Sequence, residues 1–329
     1  MRFTLQMFIV GLMASIPLIV LIVTKLPSEA TLDHSHNYAP CLIQRGITVT
    51  SLTAGKNETL QSNTTHSLID AGKIETDVVM FVPSPVDWEE RRCSVYTQFE
   101  REGWTRDRVS LLFIIGNASG AGLKDSVDTS KIVQYPLALN VIVNCRDYGD
   151  EFDNPDDTSG TTCKVYEALK YIAANYNAKY VWRGADDSYV NLRYFFSDVV
   201  PNIPTTRLYL GSLRRADTVQ HDLLLSRQPN LQKLFGIYQF GQYMYGMGFL
   251  LSFDVVDFVA SLKIPPHLTW CEDLMVGMWL LPFQITFMDY PGFHEPNFYG
   301  QPELGKQYLL IHRMTPDQWN RIGDDGTLH

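Results

Sequence analysis

No long run of Lys or Arg occurs in this sequence, and acidic residues outnumber basic ones, 36 to 27. With a formal net charge of -9, a basic surface for nucleic acid is not expected, so no nucleic-acid partner is. Cysteine is scarce: Cys41, Cys93, Cys145, Cys163 and Cys271 are the whole set, and none forms a CxxC pair. That argues against a finger-type zinc site. No internal repeat is present. What remains is largely apolar. Of 329 residues, 45% are hydrophobic and 12% aromatic, enough for one or two domains with a real core.

Charge is missing altogether from Phe3 to Val23, a run of 21 residues in which only Thr4, Gln6 and Ser15 are polar. At about 1.5 Å per helical residue this run can cross a hydrocarbon core of about 30 Å. Arg2 precedes it and Lys25 follows, so charge sets orientation only weakly. A cleaved signal peptide would need a site such as Ser28-Glu29-Ala30. That site stands well away from the run, and the run is long for a signal peptide, so an uncleaved signal anchor is expected. Sequons follow at Asn57, Asn63 and Asn117, the first two close together behind the anchor. They point to a luminal, oxidising compartment where cysteines pair. The four cysteines beyond residue 90 allow three full pairings. Cys41 is left over, free or bridging two copies in a homodimer.

Residues 1–24 thus read as a cytoplasmic tip and transmembrane signal anchor. Residues 25–75, rich in Ser, Thr, Asn, His and Gly, read as a luminal stem. Residues 76–329 read as one α/β domain. Its strands are expected at Val78–Val82, Ser110–Ile115, Asn140–Val143, Tyr180–Arg183, Leu208–Gly211, Phe249–Ser252 and Ile285–Met288. Most are short continuous apolar runs, as in strands buried on both faces. Helices fit between them. Asp87 with Glu90 resembles a capping box opening a helix toward Phe99. In Thr161–Tyr176, Val165, Leu169, Ile172 and Tyr176 share one face. Shorter helices are expected at Asp254–Leu262 and Asp273–Leu281.

Three stretches carry chemistry. In Tyr180-Val181-Trp182-Arg183-Gly184-Ala185-Asp186-Asp187, a buried strand runs into adjacent carboxylates. The carboxyl ends of strands are where open α/β sheets bind ligands. Hard oxygen ligands suit Mg²⁺ or Mn²⁺ bridging a diphosphate, although an acidic turn is the commoner origin of such a pair. Glu272-Asp273 is a second acidic pair, well placed to start a helix or to supply a general base. Tyr245-Gly246-Met247-Gly248-Phe249 lacks the third glycine of a dinucleotide fingerprint. Its glycines would let backbone approach a ligand closely. Its aromatics either stack on a sugar or fill the core.

Taken in order, these elements resemble the β-1,3-galactosyltransferase and N-acetylglucosaminyltransferase family, which includes the Fringe enzymes. The resemblance rests on Arg91-Arg92, Phe113-Ile114-Ile115-Gly116, Asp147-Tyr148-Gly149-Asp150 and Thr162-Cys163-Lys164. It continues through Ala185-Asp186-Asp187, Tyr245-Gly246-Met247-Gly248-Phe249-Leu250-Leu251-Ser252, Glu272-Asp273-Leu274-Met275-Val276-Gly277 and Leu310-Ile311-His312-Arg313-Met314-Thr315-Pro316. It implies a GT-A-like domain with a central mixed sheet flanked by helices. It implies inverting transfer of a hexose, galactose or N-acetylglucosamine, from a UDP-sugar to a hydroxyl of a glycan, glycoprotein or glycolipid acceptor in β-1,3 linkage, with Mn²⁺ or Mg²⁺. Asp273 is then the base beside Glu272. Asp187 and His312 hold the metal, with His294 the rival histidine, since Fringe-like members use one in a Phe-His stretch. Asp186, Arg91, Arg92, Lys164, Gly246 and Gly248 line the donor site. The chain departs from the family at Ala185, where the first Asp of an Asp-Asp-Asp motif is usual and a contact to the nucleotide ribose is lost. It departs also in the Thr-Leu-Lys-Thr stretch around Lys164 and in the acidic Asp150–Gly160 loop. A catalytically silent, membrane-tethered sugar-binding protein of the same fold is the alternative, and a secreted two-carboxylate hydrolase a third reading.

With the anchor and sequons, the resemblance implies a single-pass type II protein of the Golgi membrane. Endoglycosidase treatment of the expressed chain should lower its apparent mass, with an intact amino terminus in the membrane pellet. A soluble product beginning near Thr31 would contradict the anchor.

Overall fold

The computed structural model describes residues 72–119, 125–126, 132–147, 160–215, 241–262, 272–323 and 326–329. The expected anchor, residues 25–71 of the expected stem, the sequons at Asn57 and Asn63, Cys41 and Cys271 lie outside them. The last residues assigned to the stem are described, and Ile74–Glu75 is a short strand parallel to Tyr176–Asn177. No helix among the described residues is long and apolar enough to cross a membrane. The third sequon residue, Asn117, falls inside a strand of the central sheet.

After the Ile74–Glu75 strand come β1 (Val78–Pro83), α1 (Glu89–Arg101), β2 (Val109–Ser119), β3 (Asp125–Ser126), β4 (Ala138–Arg146) and α2 (Gly160–Asn175). Then come β5 (Tyr180–Gly184), β6 (Tyr189–Val190), β7 (Leu208–Arg215), β8 (Gln242–Ser252), α3 (Phe253–Ala260) and α4 (Glu272–Trp279). It ends with β9 (Thr286–Asp289), β10 (Phe293–His294), β11 (Leu310–Ile311) and α5 (Pro316–Asn320). Eight strands form a central sheet in the order β9-β7-β8-β5-β1-β2-β3, with β4 paired to β2. Strands β5, β1, β2 and β4 run parallel, whereas β8 is antiparallel to both β5 and β7. The expected mixed α/β sheet is therefore present.

Burial on both faces explains the continuous apolar runs. In β1, Val79 and Phe81 face one core with Val165, Leu169 and Ile172 of α2 and Val255 and Met275 of α3 and α4. Val78, Met80 and Val82 face the other, with Val95, Tyr96 and Phe99 of α1. This is the period of two expected of a strand. The expected strands appear at their places, several extended at one or both ends. The largest difference is β8, which begins at Gln242 and carries the two glycines inside the strand.

The capping box expected at Asp87 and Glu90 does not form. Helix α1 begins at Glu89, with Trp88 at the cap and no side-chain cap bond. The Trp88 amide closes a turn onto the Pro85 carbonyl, and Arg92 reaches back to the Pro85 and Val86 carbonyls. That turn delays the helix, and Glu89 and Glu90 meet the positive end of its dipole.

One buried ion pair ties the carboxyl ends of β1, β2 and β4 together. Lys164, in α2, donates to the Asp147 carboxylate at 2.9 Å, to the Asp147 carbonyl at 2.7 Å and to the Ser84 carbonyl at 3.2 Å. The same carboxylate accepts from the amides of Gly116 at 2.9 Å and Val86 at 2.6 Å. Neither side chain of the pair is more than 3% exposed. Burial lowers the Lys164 pKa, with the Asp147 charge acting the other way. A disulfide between Cys145 and Cys163 staples the same corner, which selects one of the pairings the sequence left open. Cys93 is disulfide-bonded too, to a partner outside the described residues.

A second, three-stranded sheet is built from β10, β11 and β6 in the order β10-β11-β6. Beneath it Ile322 and Leu328 pack with Tyr189, Ile311 and Met314. Short bridges, Gln307 with Thr327 and Ile322 with Leu328, fold the last residues back onto it.

Removing one partner of a buried pair leaves a charge uncompensated, at a cost of about 3–5 kcal/mol. Lys164→Met should therefore lower the urea midpoint by a stability loss of that order. A loss below about 1 kcal/mol would show that the pair holds nothing together.

Candidate functional site

The two acidic pairs stand on different elements, and strand β8 links them. Asp186 and Asp187 follow β5, and Glu272 and Asp273 open α4. Between them pass Tyr245 and Gly246 of β8.

Asp186 is buried and turned inward. It accepts from the Ser84 hydroxyl at 2.8 Å and from Arg91 at 3.4 Å. Burial raises its pKa, against those hydrogen bonds. Asp187 is partly exposed. His312 Nε2 stands 3.3 Å from one of its oxygens and Arg91 3.8 Å from the other. Burial disfavours the Asp187 charge, yet the hydrogen bond and charge of His312, with Arg91 and Arg183, outweigh it and hold the carboxyl below its ordinary value. Burial likewise lowers the His312 pKa, but Asp187 and Glu295 more than offset it and raise it. Arg91 is half exposed, stacks on Trp88 with its guanidinium 4.1 Å from the ring, and faces both aspartates.

The register of the small sheet explains why these residues meet. Ile311 pairs with Tyr189 antiparallel and with His294 parallel. The next residues therefore converge: the His312 amide bonds the His294 carbonyl at 2.9 Å, and the Met314 amide bonds the Asp187 carbonyl at 2.9 Å. His294 itself is turned away. Its Nε2 contacts the Gly300 carbonyl at 2.9 Å, and its ring packs on Tyr308. Of the two rival histidines, His312 is the one against Asp187.

Gly246 joins the second pair. Its amide donates to Asp273 at 2.8 Å, and its carbonyl accepts from Arg183. Arg183 in turn holds Glu272 at 2.6 Å. A Cβ on Gly246 would sit 3.2 Å from Asp273 and 3.3 Å from Glu272. The glycine thus admits the chain's own carboxylates. Gly248, at φ +150°, does the same for Leu310, whose Cδ1 would lie 2.5 Å from an added Cβ. Both positions were expected to face a ligand, and both are crowded by protein. Tyr245, half-buried, sits edge-on to His312 and under the Arg214 guanidinium.

Two more of the residues expected at the donor site are buried within the protein. Arg92 is fully buried and donates to the Ser84 hydroxyl at 3.3 Å and to the carbonyls of Pro85 and Val86. Lys164 is engaged as described above. Both shape the loop after β1 from inside, whereas Arg91 is half exposed beside the aspartates. Arg183 and Glu295 were not expected. Arg183 sat unmarked in a strand, and Glu295 next to the less favoured histidine.

A galactosyltransferase family model matches residues 91–291. The chain belongs to the galactosyltransferase family. It is a glycosyltransferase, and binding of a sugar donor and an acceptor follows from that membership. Among curated proteins none matches significantly. Solved structures of glycosyltransferases resemble the chain at low identity. Galactosyltransferase LgtC, in complex with donor and acceptor sugar analogues, aligns with a TM-score of 0.40 at 10% identity, over 72% of this chain and 87% of that one. The 1–349 fragment of S. aureus TarS gives 0.35 at 10% identity over 72% of this chain, which spans 60% of that fragment. The S. cerevisiae mannosyltransferase Ktr4p with GDP gives 0.26 at 10% identity, over 62% and 61% of the two chains. The family match ends before His312, so what is said of that residue rests on the geometry above.

The two glycines should separate cleanly on substitution. Gly248→Ala forces a side chain into a strained φ and against Leu310, and should cost about 1–3 kcal/mol in urea unfolding. Gly246→Ala shifts the carboxylates by a few tenths of an ångström. It should leave the urea midpoint nearly unchanged and cut sugar transfer by on the order of 10-fold.

Proposed function

We propose that this glycosyltransferase is an inverting, GT-A-type hexosyltransferase. It moves galactose or N-acetylglucosamine from a UDP-sugar to a hydroxyl of a glycan on a glycoprotein or glycolipid, in β-1,3 linkage. The observation that carries the reading is one strand, β8, which sets Tyr245 against His312 and Gly246 against Asp273. This nearness supports reading Asp187 and His312 as the pair that would hold a metal, with Asp273 as the base. We place the enzyme in the Golgi membrane, anchored by Phe3–Val23, with its catalytic domain in the lumen.

The donor set suits Mn²⁺ or Mg²⁺. One carboxylate oxygen and one imidazole nitrogen lie 3.3 Å apart. Two ligands at about 2.1 Å and a right angle stand about 3.0 Å apart, which is close to this. No group of three or more His, Cys, Asp and Glu side chains able to hold a metal is present among the described residues. Asp187 and His312 would hold the cation together with donor phosphate oxygens and water. When bound, the cation would neutralise the charge developing on the UDP leaving group.

The protein's own groups do the rest. Arg91 pairs with the diphosphate from the exposed side. Asp273 takes the proton of the acceptor hydroxyl while that oxygen attacks the anomeric carbon from the face opposite UDP, inverting it. Glu272 is the weaker candidate, because Arg183 holds its carboxylate. Ala185 leaves the ribose without the carboxylate the family supplies there, so the nucleotide is held more by its diphosphate.

The test is UDP release against several UDP-sugars with and without Mn²⁺. Asp273→Asn should leave UDP-sugar binding nearly intact and cut turnover by on the order of 10²-fold or more. If Glu272→Gln abolishes turnover and Asp273→Asn does not, the base is Glu272. His312→Ala should raise the Mn²⁺ concentration for half-maximal activity, and His294→Ala should leave it unchanged.

A further inference from the structure

Glu295 is the one carboxylate near the site with no exposure at all. Full burial of a charge is costly unless it is paired and hydrogen-bonded, and here every partner is visible. One oxygen, Oε2, receives His312 Nδ1. The other, Oε1, receives the Asn297 amide at 3.1 Å and lies 3.3 Å from Arg313 Nε. Arg313 follows His312 with φ +55°, a left-handed conformation rare outside glycine. That turn sends the Arg313 side chain to Glu295 directly after His312 has reached it. The parallel pairing of His294 with Ile311 brings Glu295 and His312, the next residue of each strand, side by side.

We propose that Glu295 is a positioning residue for His312. By taking the Nδ1 hydrogen it fixes the tautomer and ring orientation, and leaves Nε2 as the nitrogen aimed at Asp187. A metal-bound histidine depends on such an outer carboxylate for its aim and its basicity. The inference rests on the reading of His312 as a metal ligand.

A purely structural role is the rival, because Glu295 also caps the short helix Pro296–Tyr299 through the Asn297 amide. The two roles need different side-chain lengths. Asn is a good cap but is one methylene too short for the imidazole. Gln keeps the reach and an acceptor oxygen, and loses only the charge.

Mn²⁺ affinity of the full chain, read by electron paramagnetic resonance with UDP present, separates them. Glu295→Asn should weaken Mn²⁺ binding by about 10- to 100-fold with little change in melting temperature. Glu295→Gln should weaken it less, by at most about 10-fold. Binding within twofold of the parent in both variants overturns the proposal. His312→Ala is the control on the underlying reading. If it leaves Mn²⁺ affinity unchanged, His312 is no ligand and the metal assignment fails. If it weakens binding and Glu295→Asn does not, only the positioning role fails. Should Glu295→Asn fail to fold, the unmodified metal-free chain decides. Histidine ¹⁵N shifts at alkaline pH, with His312 assigned by its loss in His312→Ala, should show the hydrogen on Nδ1. A hydrogen on Nε2 overturns the proposal.

Discussion

Everything at the carboxyl edge of the sheet depends on the ion pair of Lys164 and Asp147. Between them they take up the amides of Gly116 and Val86 and the carbonyl of Ser84, so three strands and α2 meet at one buried charge pair. Ser84, held there, gives its hydroxyl to Asp186. Asp186 in turn anchors the turn that presents Asp187. A pair more than 95% shielded from water thus sets, through two hydrogen bonds, where the outermost acid of the site stands. The nearby disulfide of Cys145 and Cys163 adds a covalent constraint on the same corner.

The site beyond that corner is acidic, and its acids are kept apart by assigned cations. Arg91 serves Asp186 and Asp187, Arg183 serves Glu272, and Arg313 with His312 serves Glu295. Asp273 accepts from the amides of Gly246 and Leu274.

The α/β sheet was legible because its inner strands are buried on both faces and so read as unbroken apolar runs, as in Val78–Val82 and Tyr180–Arg183. Strand β8 was legible only in its last third. Its first residues alternate glycine with aromatic and methionine side chains, a pattern that serves close packing against Glu272, Asp273 and Leu310. Motif order singled out Asp187, His312 and Asp273 as candidates, but carries no information on the direction in which a side chain points. Arg91 and Arg92 are neighbours on a helix, about 100° apart, and one is half exposed while the other is buried. The burial of Lys164 was illegible for the same reason. Glu295 could not be found, because a buried carboxylate leaves no periodicity and its partner lies across a sheet. Phe293-His294-Glu295 was the available signal, and attention to its histidine hid its acid.

The small sheet that aims His312 rests on residues at the far end of the numbering. Leu328 fills the floor beneath Tyr189 and Ile311, and the His329 amide bonds the Arg321 carbonyl. A stop codon arising just after residue 322 would spare every motif the family shares and still remove that floor. An affinity tag fused there would pull on the same few residues, so a purification handle is better placed elsewhere.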